Sequence, residues 1–113
     1  MARFFRSHWL FVLAAGACSP ATAAFHEGRL PAAARELRAE EGRARAAGGA
    51  TWARYALERG LVELGLGNAG RAGRYLSAAK RASDGDPSLF DDREHGALLA
   101  AWRSLGRMPG ERR

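Results

Sequence analysis

The most informative absences in this sequence concern cysteine, lysine and long apolar runs. Among its 113 residues are one cysteine, Cys18, and one lysine, Lys80. A single cysteine cannot form an internal disulfide, so no disulfide framework is predicted. No stretch alternates apolar and polar residues with a period of two, and we therefore predict no β-sheet. The apolar run WLFVLAAGA is too short to cross a bilayer stably, which needs about 20 residues.

The basic charge of the chain comes almost entirely from arginine. The formal net charge is +6, from 18 Lys and Arg residues against 12 Asp and Glu residues. The two signs are interspersed, as between Arg35 and Arg45, and mixed charge of this kind is typical of a solvated helix face. We therefore predict no nucleic-acid partner and keep a basic nucleic-acid-binding module only as a remote alternative.

Length and composition predict one small domain with a modest core. Hydrophobic residues make up 47% of the chain, but alanine supplies many of them. Small domains bury only about 60% of the surface that the unfolded chain exposes. We therefore expect marginal stability without a partner.

The start of the chain has the pattern of an export signal. Arg3, Arg6 and His8 form a short basic start, and the compact apolar core WLFVLAAGA follows. This pattern predicts export of the chain, with the segment 1–17 removed as a signal peptide.

The segment from Ala15 to Ser19 resembles the lipobox of bacterial lipoproteins, although Ala15 stands where leucine is more frequent in that family. The resemblance implies that Cys18 becomes the lipid-modified first residue. With serine after it, it also implies a lipid anchor in the outer membrane, facing the periplasm. Cleavage after Ala23 or Ala24 would instead give a soluble periplasmic or secreted protein, and an uncleaved or inert cysteine is the third alternative.

Helical spacing of apolar residues covers most of the remaining chain. Pro31 fits the first turn of a helix that ends near Gly48 and Gly49. The next helices are predicted from Thr51 to Leu66, and from the following glycine turn to about Ser83. A turn is predicted from Asp84 to Pro87, and a last helix near Ser88, where Ser88 and Asp91 fit a capping box.

The central stretch from Gly60 to Ala82 contains two apolar-striped helical segments joined by glycines. The helix before the glycines is apolar on two faces, one with Leu57, Leu61 and Leu64 and the other with Tyr55, Val62 and Leu66. Such a helix hairpin cannot bury itself alone and must stack on neighbouring helices.

Glycines recur at a constant spacing at the breaks between helical patterns. Gly28, Gly67 and Gly106 are equally spaced along the chain, as their numbers show. Ala33 and Leu37 follow the first break at the same distances as Ala72 and Leu76 follow the second. Repeats of about 20 to 50 residues are typical of solenoids built from helix pairs.

These residues resemble the tetratricopeptide repeat family. The matching positions are Gly60, Leu66, Gly67, Ala72, Leu76 and Ala79 in the middle copy, and Leu98, Leu99, Trp102, Leu105 and Gly106 in the last copy. The resemblance implies an all-α fold, a short solenoid of helical hairpins with about one complete repeat flanked by partial ones. Ala56, Arg59 and Glu63 depart from the family, which prefers an aromatic residue, leucine and tyrosine there.

The resemblance also implies a function in binding protein. Members of the family bind extended peptides or helices along a groove formed by the first helix of each repeat. Matching positions place Arg54, Leu57, Leu61, Leu64, Arg93, Ala100 and Arg103 on that groove. Leucines would provide apolar contacts, and arginines would pair with carboxylates of a peptide or helix of another envelope protein.

No pattern in the sequence predicts catalysis. Residues 65–70 read G-x-G-x-x-G, but a helix precedes them, whereas a dinucleotide site requires a strand. The group Asp91, Asp92, Glu94 and His95 places too few ligands on one helix face for a metal site. We predict no cofactor, no metal and no enzymatic activity.

The sequence therefore divides into four segments. These are the signal peptide (1–17), the lipidation site with a partial first repeat (18–50), the repeat-like helical core (51–106) and a C-terminal tail (107–113). The alternative to a preformed binding groove is an accessory or assembly subunit of an envelope complex, which would fold fully only on self-association or on binding its partner.

Overall fold

A computed structural model describes residues 25–106, and this part of the chain is all-α, with no strand. The predicted signal peptide, Cys18 and the tail 107–113 lie outside the described residues. The helices are α1 (Leu30–Ala47), α2 (Gly49–Gly65), α3 (Ala69–Gly85) and α4 (Asp92–Gly106), and a 3-10 turn, Pro87–Leu89, joins α3 to α4. Within residues 25–106, no helix has the length and apolar character that crossing a membrane requires.

Proline and glycine set the start and end of α1 as the sequence predicts. Pro31 occupies the first turn of the helix, where its missing N–H costs nothing. Gly48 ends the helix with φ of 65°, and its N–H donates to the carbonyl of Ala44. Helix α2 begins immediately afterwards at Gly49, slightly before the predicted start at Thr51.

The junction between α3 and α4 corrects the prediction for the last helix. Helix α3 continues to Gly85, and the last helix begins at Asp92, not near Ser88. The capping box is formed by Asp91 and Glu94, whose carboxylates accept from each other's backbone N–H at 2.8 and 2.9 Å. Ser88 instead lies in the 3-10 turn before α4, where its hydroxyl donates to Asp86 Oδ1 at 2.6 Å.

The breaks at Gly28 and Gly67 have nearly the same backbone geometry. Both glycines have positive φ, 78° and 85°. The next residues, Arg29 and Asn68, have φ and ψ of −90° and 74°, and of −91° and 75°. In both places the N–H four positions later donates to that residue's carbonyl at 2.9 Å. The spacing seen in the sequence therefore corresponds to a repeated local structure.

An apolar core joins α2, α3 and α4. Its fully buried members are Ala53, Ala56, Leu57, Ala72, Leu76, Ala79, Phe90, Leu98, Ala101 and Leu105. Gly60 allows the close approach of α2 and α3, since an added Cβ would lie 2.6 Å from the Leu76 side chain. The small residue predicted at this position of the repeat is therefore required by packing.

A second core joins α1 to the other side of α2. Its buried members are Ala33, Ala34, Leu37, Ala44, Tyr55 and Val62. Tyr55 and Val62 are buried as the two-faced pattern of α2 predicts. Leu66, predicted on the same face, is 37% exposed because α2 ends at Gly65 and Leu66 begins the turn. Leu99 is 47% exposed on α4.

Candidate partner-binding groove and buried polar network

An open groove of about 750 Å³ lies along one side of the helices. Its walls come from the segment before α1 and from α1, α2 and α4. The lining residues are Phe25, His26, Glu40, Ala44, Thr51, Arg54, Tyr55, Leu57, Glu58, Leu61, Asp91, Arg93, Glu94 and Ala97. The surface therefore combines an apolar floor with charged side chains of both signs.

Four of the seven predicted groove residues line this surface, and three do not. Arg54, Leu57, Leu61 and Arg93 belong to the lining. The other three residues of the predicted set are placed elsewhere: Leu64 is half-buried against the apolar core, and Ala100 and Arg103 are exposed on α4 outside the groove. The structure therefore shifts the candidate surface toward the beginning of α4.

Arg54 connects the two helices that face each other across the groove. Its Nε lies 3.3 Å from Glu94 Oε2, and its Nη2 donates to the carbonyl of Leu89 at 3.2 Å. We predicted that Arg54 would pair with a carboxylate of the partner, but it already pairs with Glu94 of this chain. Because its side chain is more than half exposed, this ion pair contributes little stability, at most about 1 kcal/mol.

Behind the groove, α2 carries a buried ion pair. Arg59 and Glu63 are one helical turn apart, and their side chains are 5% and 1% exposed. Arg59 Nε donates to Glu63 Oε2 at 2.9 Å. Asn68, in the turn after α2, donates to the other carboxylate oxygen of Glu63 at 2.7 Å. Both oxygens of this fully buried carboxylate are therefore hydrogen-bonded.

The same arginine reaches groups on α1. Arg59 Nη1 donates to Glu41 Oε1 at 3.0 Å and to the Tyr55 hydroxyl at 2.8 Å. The Tyr55 hydroxyl in turn donates to the Leu37 carbonyl at 2.8 Å. Tyr75 of α3 donates to Glu41 Oε1 at 2.9 Å, and its ring lies 4.6 Å from the Arg59 guanidinium carbon. The buried network, defined as Glu41, Tyr55, Arg59, Glu63, Asn68 and Tyr75, thus ties α1, α2 and α3 together.

The pKa values of the network follow from burial opposed by these hydrogen bonds. Burial alone would raise the pKa of Glu63, but hydrogen bonds from Asn68 and Arg59 outweigh it and hold the pKa below its ordinary value of 4.5. For Glu41, hydrogen bonds from Arg45 and Tyr75 likewise overcome burial and lower the pKa. Burial raises the pKa of Tyr55 to about 12, against the opposing effect of Arg59. Both carboxylates are therefore ionised, and the tyrosine is protonated, at neutral pH.

Aromatic rings cover the network on the side where α1 ends. Trp52 stacks on Tyr55 with centroids 5.4 Å apart and planes 18° apart. The Arg45 guanidinium carbon lies 4.4 Å above the Trp52 ring, and the same arginine pairs with Glu41 at 2.6 Å. The rings therefore pack between helices.

Arg59 and Glu63 stand out in the sequence as departures from the repeat pattern, but we did not predict them as a buried pair. A signal was present, because Tyr55, Arg59 and Glu63 follow one another at intervals of four on a helix predicted to be covered on two sides. A charged pair at this spacing on a covered face has to be satisfied internally. The groups on α1 that satisfy it are distant in sequence and could not be identified from spacing.

The glycine-rich motif and the acidic group have structural roles. Residues 65–70 join helix α2 to helix α3, so the strand that a dinucleotide site requires does not precede them. Asp91 and Glu94 cap α4, and His95 Nε2 donates to the Pro87 carbonyl at 2.9 Å. Among the residues that the structure describes, no group of three or more His, Cys, Asp or Glu side chains is arranged to hold a metal.

Comparison of the chain with protein-family models, with curated proteins and with solved structures finds no significant match.

Proposed function

We propose that this chain is a small tetratricopeptide-like scaffold that binds a segment of another protein in its groove and catalyses no reaction itself. The observation that carries the proposal is the groove, which combines partly exposed apolar side chains, such as Leu61 and Ala97, with charged side chains from α1, α2 and α4. Its volume of about 750 Å³ suits a short peptide or one face of a helix. Repeat proteins of the family bind their partners on the corresponding helices.

Two observations support the repeat-like arrangement. The equivalent breaks at Gly28 and Gly67 share their backbone angles and their first helical hydrogen bond. In addition, Gly60 packs directly against Leu76, the close contact that the family's small residue permits. An array of this kind presents the first helices of successive hairpins side by side, and α2 and α4 line the groove together.

Steric blocking of the groove tests the binding proposal. Ala97 of α4 lines the groove, whereas Ala100 of the same helix is exposed outside it. The tagged protein, purified with its partners from detergent-solubilised envelopes after crosslinking, should lose those partners in Ala97→Trp and keep them in Ala100→Trp. Thr51→Trp is the second blocking variant, because Thr51 is exposed in the groove and its replacement spares the core. Equal retention of partners by both blocking variants, with native helicity, would contradict the proposal.

We further propose that the scaffold is exported and anchored by a lipid at Cys18 in the outer membrane, facing the periplasm. The support is the sequence pattern of residues 1–19. Mass measurement of the mature N-terminus distinguishes a lipidated Cys18 from a soluble protein cleaved after Ala23 or Ala24. Labelled palmitate should enter the wild-type protein and should not enter Cys18→Ala.

A second candidate function is that of an assembly subunit that associates with its own copies. A second opening, of about 500 Å³, lies between α3 and α4 and favours this alternative. Its lining residues are Gly70, Gly73, Arg74, Ser77, Trp102, Leu105 and Gly106. The small residues on α3 would let another helix approach closely. Sedimentation and helicity that rise with protein concentration would support self-association, whereas a constant monomer mass would exclude it.

A further inference from the structure

The charge of the groove is opposite to the charge of the chain. The whole sequence carries a net charge of +6. The groove lining nevertheless contains four carboxylates, those of Glu40, Glu58, Asp91 and Glu94, against the guanidinium groups of Arg54 and Arg93. A surface of this kind attracts a segment of positive charge and disfavours an acidic one.

One of the two arginines is already neutralised within the molecule. Arg54 pairs with Glu94 and donates to the Leu89 carbonyl, so its charge is directed along the wall between α2 and α4. Arg93 is exposed and has no ion pair within residues 25–106. The Arg54–Glu94 pair removes one charge of each sign, and Arg93 then stands against Glu40 and Asp91, so the lining keeps a negative excess without Glu58 being counted.

Glu40 is a carboxylate of this lining that has no hydrogen-bond or ion-pair partner among residues 25–106. Its neighbour Glu41 turns inward and receives hydrogen bonds from Arg45, Arg59 and Tyr75. The Glu40 side chain is half-buried, yet it makes no hydrogen bond or ion pair with another residue among 25–106. Burial raises its pKa, and the nearby Glu36 adds to the rise, while Arg43 opposes it. A cation brought by a ligand would offset the cost of ionising this carboxylate.

Apolar side chains lie beside this carboxylate. Ala44 follows Glu40 by one turn of α1, and the partly exposed Leu61 of α2 belongs to the same lining, whereas Leu57 is 4% exposed. A ligand that fits must therefore carry an apolar side chain close to its positive charge, as an amphipathic segment does.

We infer that the partner segment held in the groove is basic and amphipathic, with a lysine or arginine placed against Glu40 and apolar side chains on Leu61. This inference rests on the proposed function, because it specifies the chemistry of the segment that the groove binds. It reverses the prediction made from sequence, in which arginines of this chain would receive carboxylates of the partner.

Selection from a displayed library of random peptides of about 12 residues, long enough for three helical turns, tests the inference without the partner having to be identified first. Peptides selected on the wild-type protein should be enriched in lysine and arginine together with leucine or aromatic residues. Synthetic copies, measured by fluorescence anisotropy, should bind Glu40→Gln about tenfold more weakly than wild type. The matched control is Asp84→Asn, which removes an exposed carboxylate of α3 outside the lining and should leave the affinity unchanged.

The possible outcomes separate the inference from the proposed function. If the selected peptides are neutral or acidic and bind Ala97→Trp or Thr51→Trp more weakly than wild type, the charge inference is wrong and the groove proposal stands. An equal loss of affinity in Asp84→Asn and Glu40→Gln would also overturn it, because the effect would then come from overall charge. If no peptide is enriched, or if the selected peptides bind the blocked variants as well as wild type, both proposals fail.

Discussion

Helix α2 is buried on two sides, and the two sides are held by different kinds of interaction. Toward α3 and α4, Leu57 packs with Leu76 and Leu98 in a core without charged members. Toward α1, Arg59 and Glu63 lie in the buried network among aromatic rings. Apolar packing stabilises the fold in proportion to the apolar area buried, whereas the hydrogen bonds of the network form only when α1, α2 and α3 are all in place. We infer that the apolar side supplies most of the stability and that the polar side selects the relative placement of α1.

The polar side of α2 has no counterpart in α4. Positions shifted by the spacing of Gly67 and Gly106 hold Leu98 where α2 has Arg59, and Trp102 where it has Glu63. The corresponding positions thus carry a charged pair in α2 and an apolar pair in α4. The helical arrangement therefore does not require a charged pair at these positions. Replacing the pair measures its contribution to the free energy of unfolding.

The largest effect is expected from breaking the buried ion pair on one side only. Arg59→Met leaves the Glu63 carboxylate, whose side chain is 1% exposed, with only the exposed Arg71 as a cation, 3.9 Å away, and should cost about 3 to 5 kcal/mol. Urea unfolding followed by circular dichroism measures the loss. Arg38→Met, on the exposed face of α1, is the control and should change little. A loss below about 1 kcal/mol in Arg59→Met would show that water reaches the site.

A core truncation on the apolar side should have a comparable or slightly smaller effect. Leu76→Ala removes a fully buried side chain that packs on Gly60 and should cost about 2 to 5 kcal/mol, as such cavities do. Leu99→Ala is matched in chemistry, but Leu99 is 47% exposed, so its loss should stay within about 0.5 kcal/mol. Equal losses for the two leucines would contradict the core assignment.

Replacing both partners of the pair should restore much of what the single change loses. Arg59→Met with Glu63→Met buries no charge in α2, and Glu41 keeps its hydrogen bonds from Arg45 and Tyr75. We expect the double variant to be about 2 kcal/mol more stable than Arg59→Met alone, since apolar replacements of buried pairs are often neutral. A double-mutant cycle measures this coupling. Strictly additive losses would mean that the two charges do not interact.

The network should also make stability depend on acid pH. Glu41 and Glu63 have folded pKa values below 4.5, so their contribution is complete above the unfolded pKa and is lost as pH falls through the folded values. Unfolding measured between neutral pH and about pH 3 should therefore show a decline below the ordinary Glu value in the wild type. The decline should be shallower in the Arg59→Met, Glu63→Met double variant. If the two proteins lose stability identically at low pH, Glu63 is not the cause of that loss.

The smallest effect is expected at a single hydroxyl. Tyr55→Phe removes the group between Arg59 and the Leu37 carbonyl and should cost about 1 kcal/mol at neutral pH. Because the folded pKa of Tyr55 is raised to about 12, its contribution is complete below the unfolded value of 10.0 and is lost as pH rises through 12. The variant should lose less stability at alkaline pH than wild type, and the part that remains comes from Tyr75, whose pKa burial also raises.

Much of the secondary structure was predictable from local signals. The all-α fold is confirmed, and Pro31, Gly48 and Gly67 mark breaks in the helices as their backbone preferences require. The start of α4 was predicted wrongly, because Ser88 and Asp91 match the spacing of a capping box while Asp91 and Glu94 form the observed one. Two overlapping matches to one short motif cannot be ranked without the turn that precedes them.

The candidate site was less predictable, for reasons of distance in the sequence. Leu57 and Leu61 were placed on the groove by the resemblance to the repeat family, but the charge of the groove also depends on Glu40 of α1 and on Asp91, just before α4. Likewise, the acceptor for Arg54 lies 40 residues away, on Glu94. Spacing along one helix shows which face is buried, whereas the balance of charge on a surface depends on how several helices meet.

The ring contacts also give the molecule its own optical reporters. Trp52 stacks on Tyr55 beside the Arg45 guanidinium, whereas Trp102 is packed against the apolar core with Lys80 5.9 Å from its ring. Since indole emission responds to neighbouring charge and solvent, each tryptophan reports on its own surroundings. With Trp9 replaced by phenylalanine, single-tryptophan versions would show whether the α1 side and the α4 side of α2 open together or in sequence.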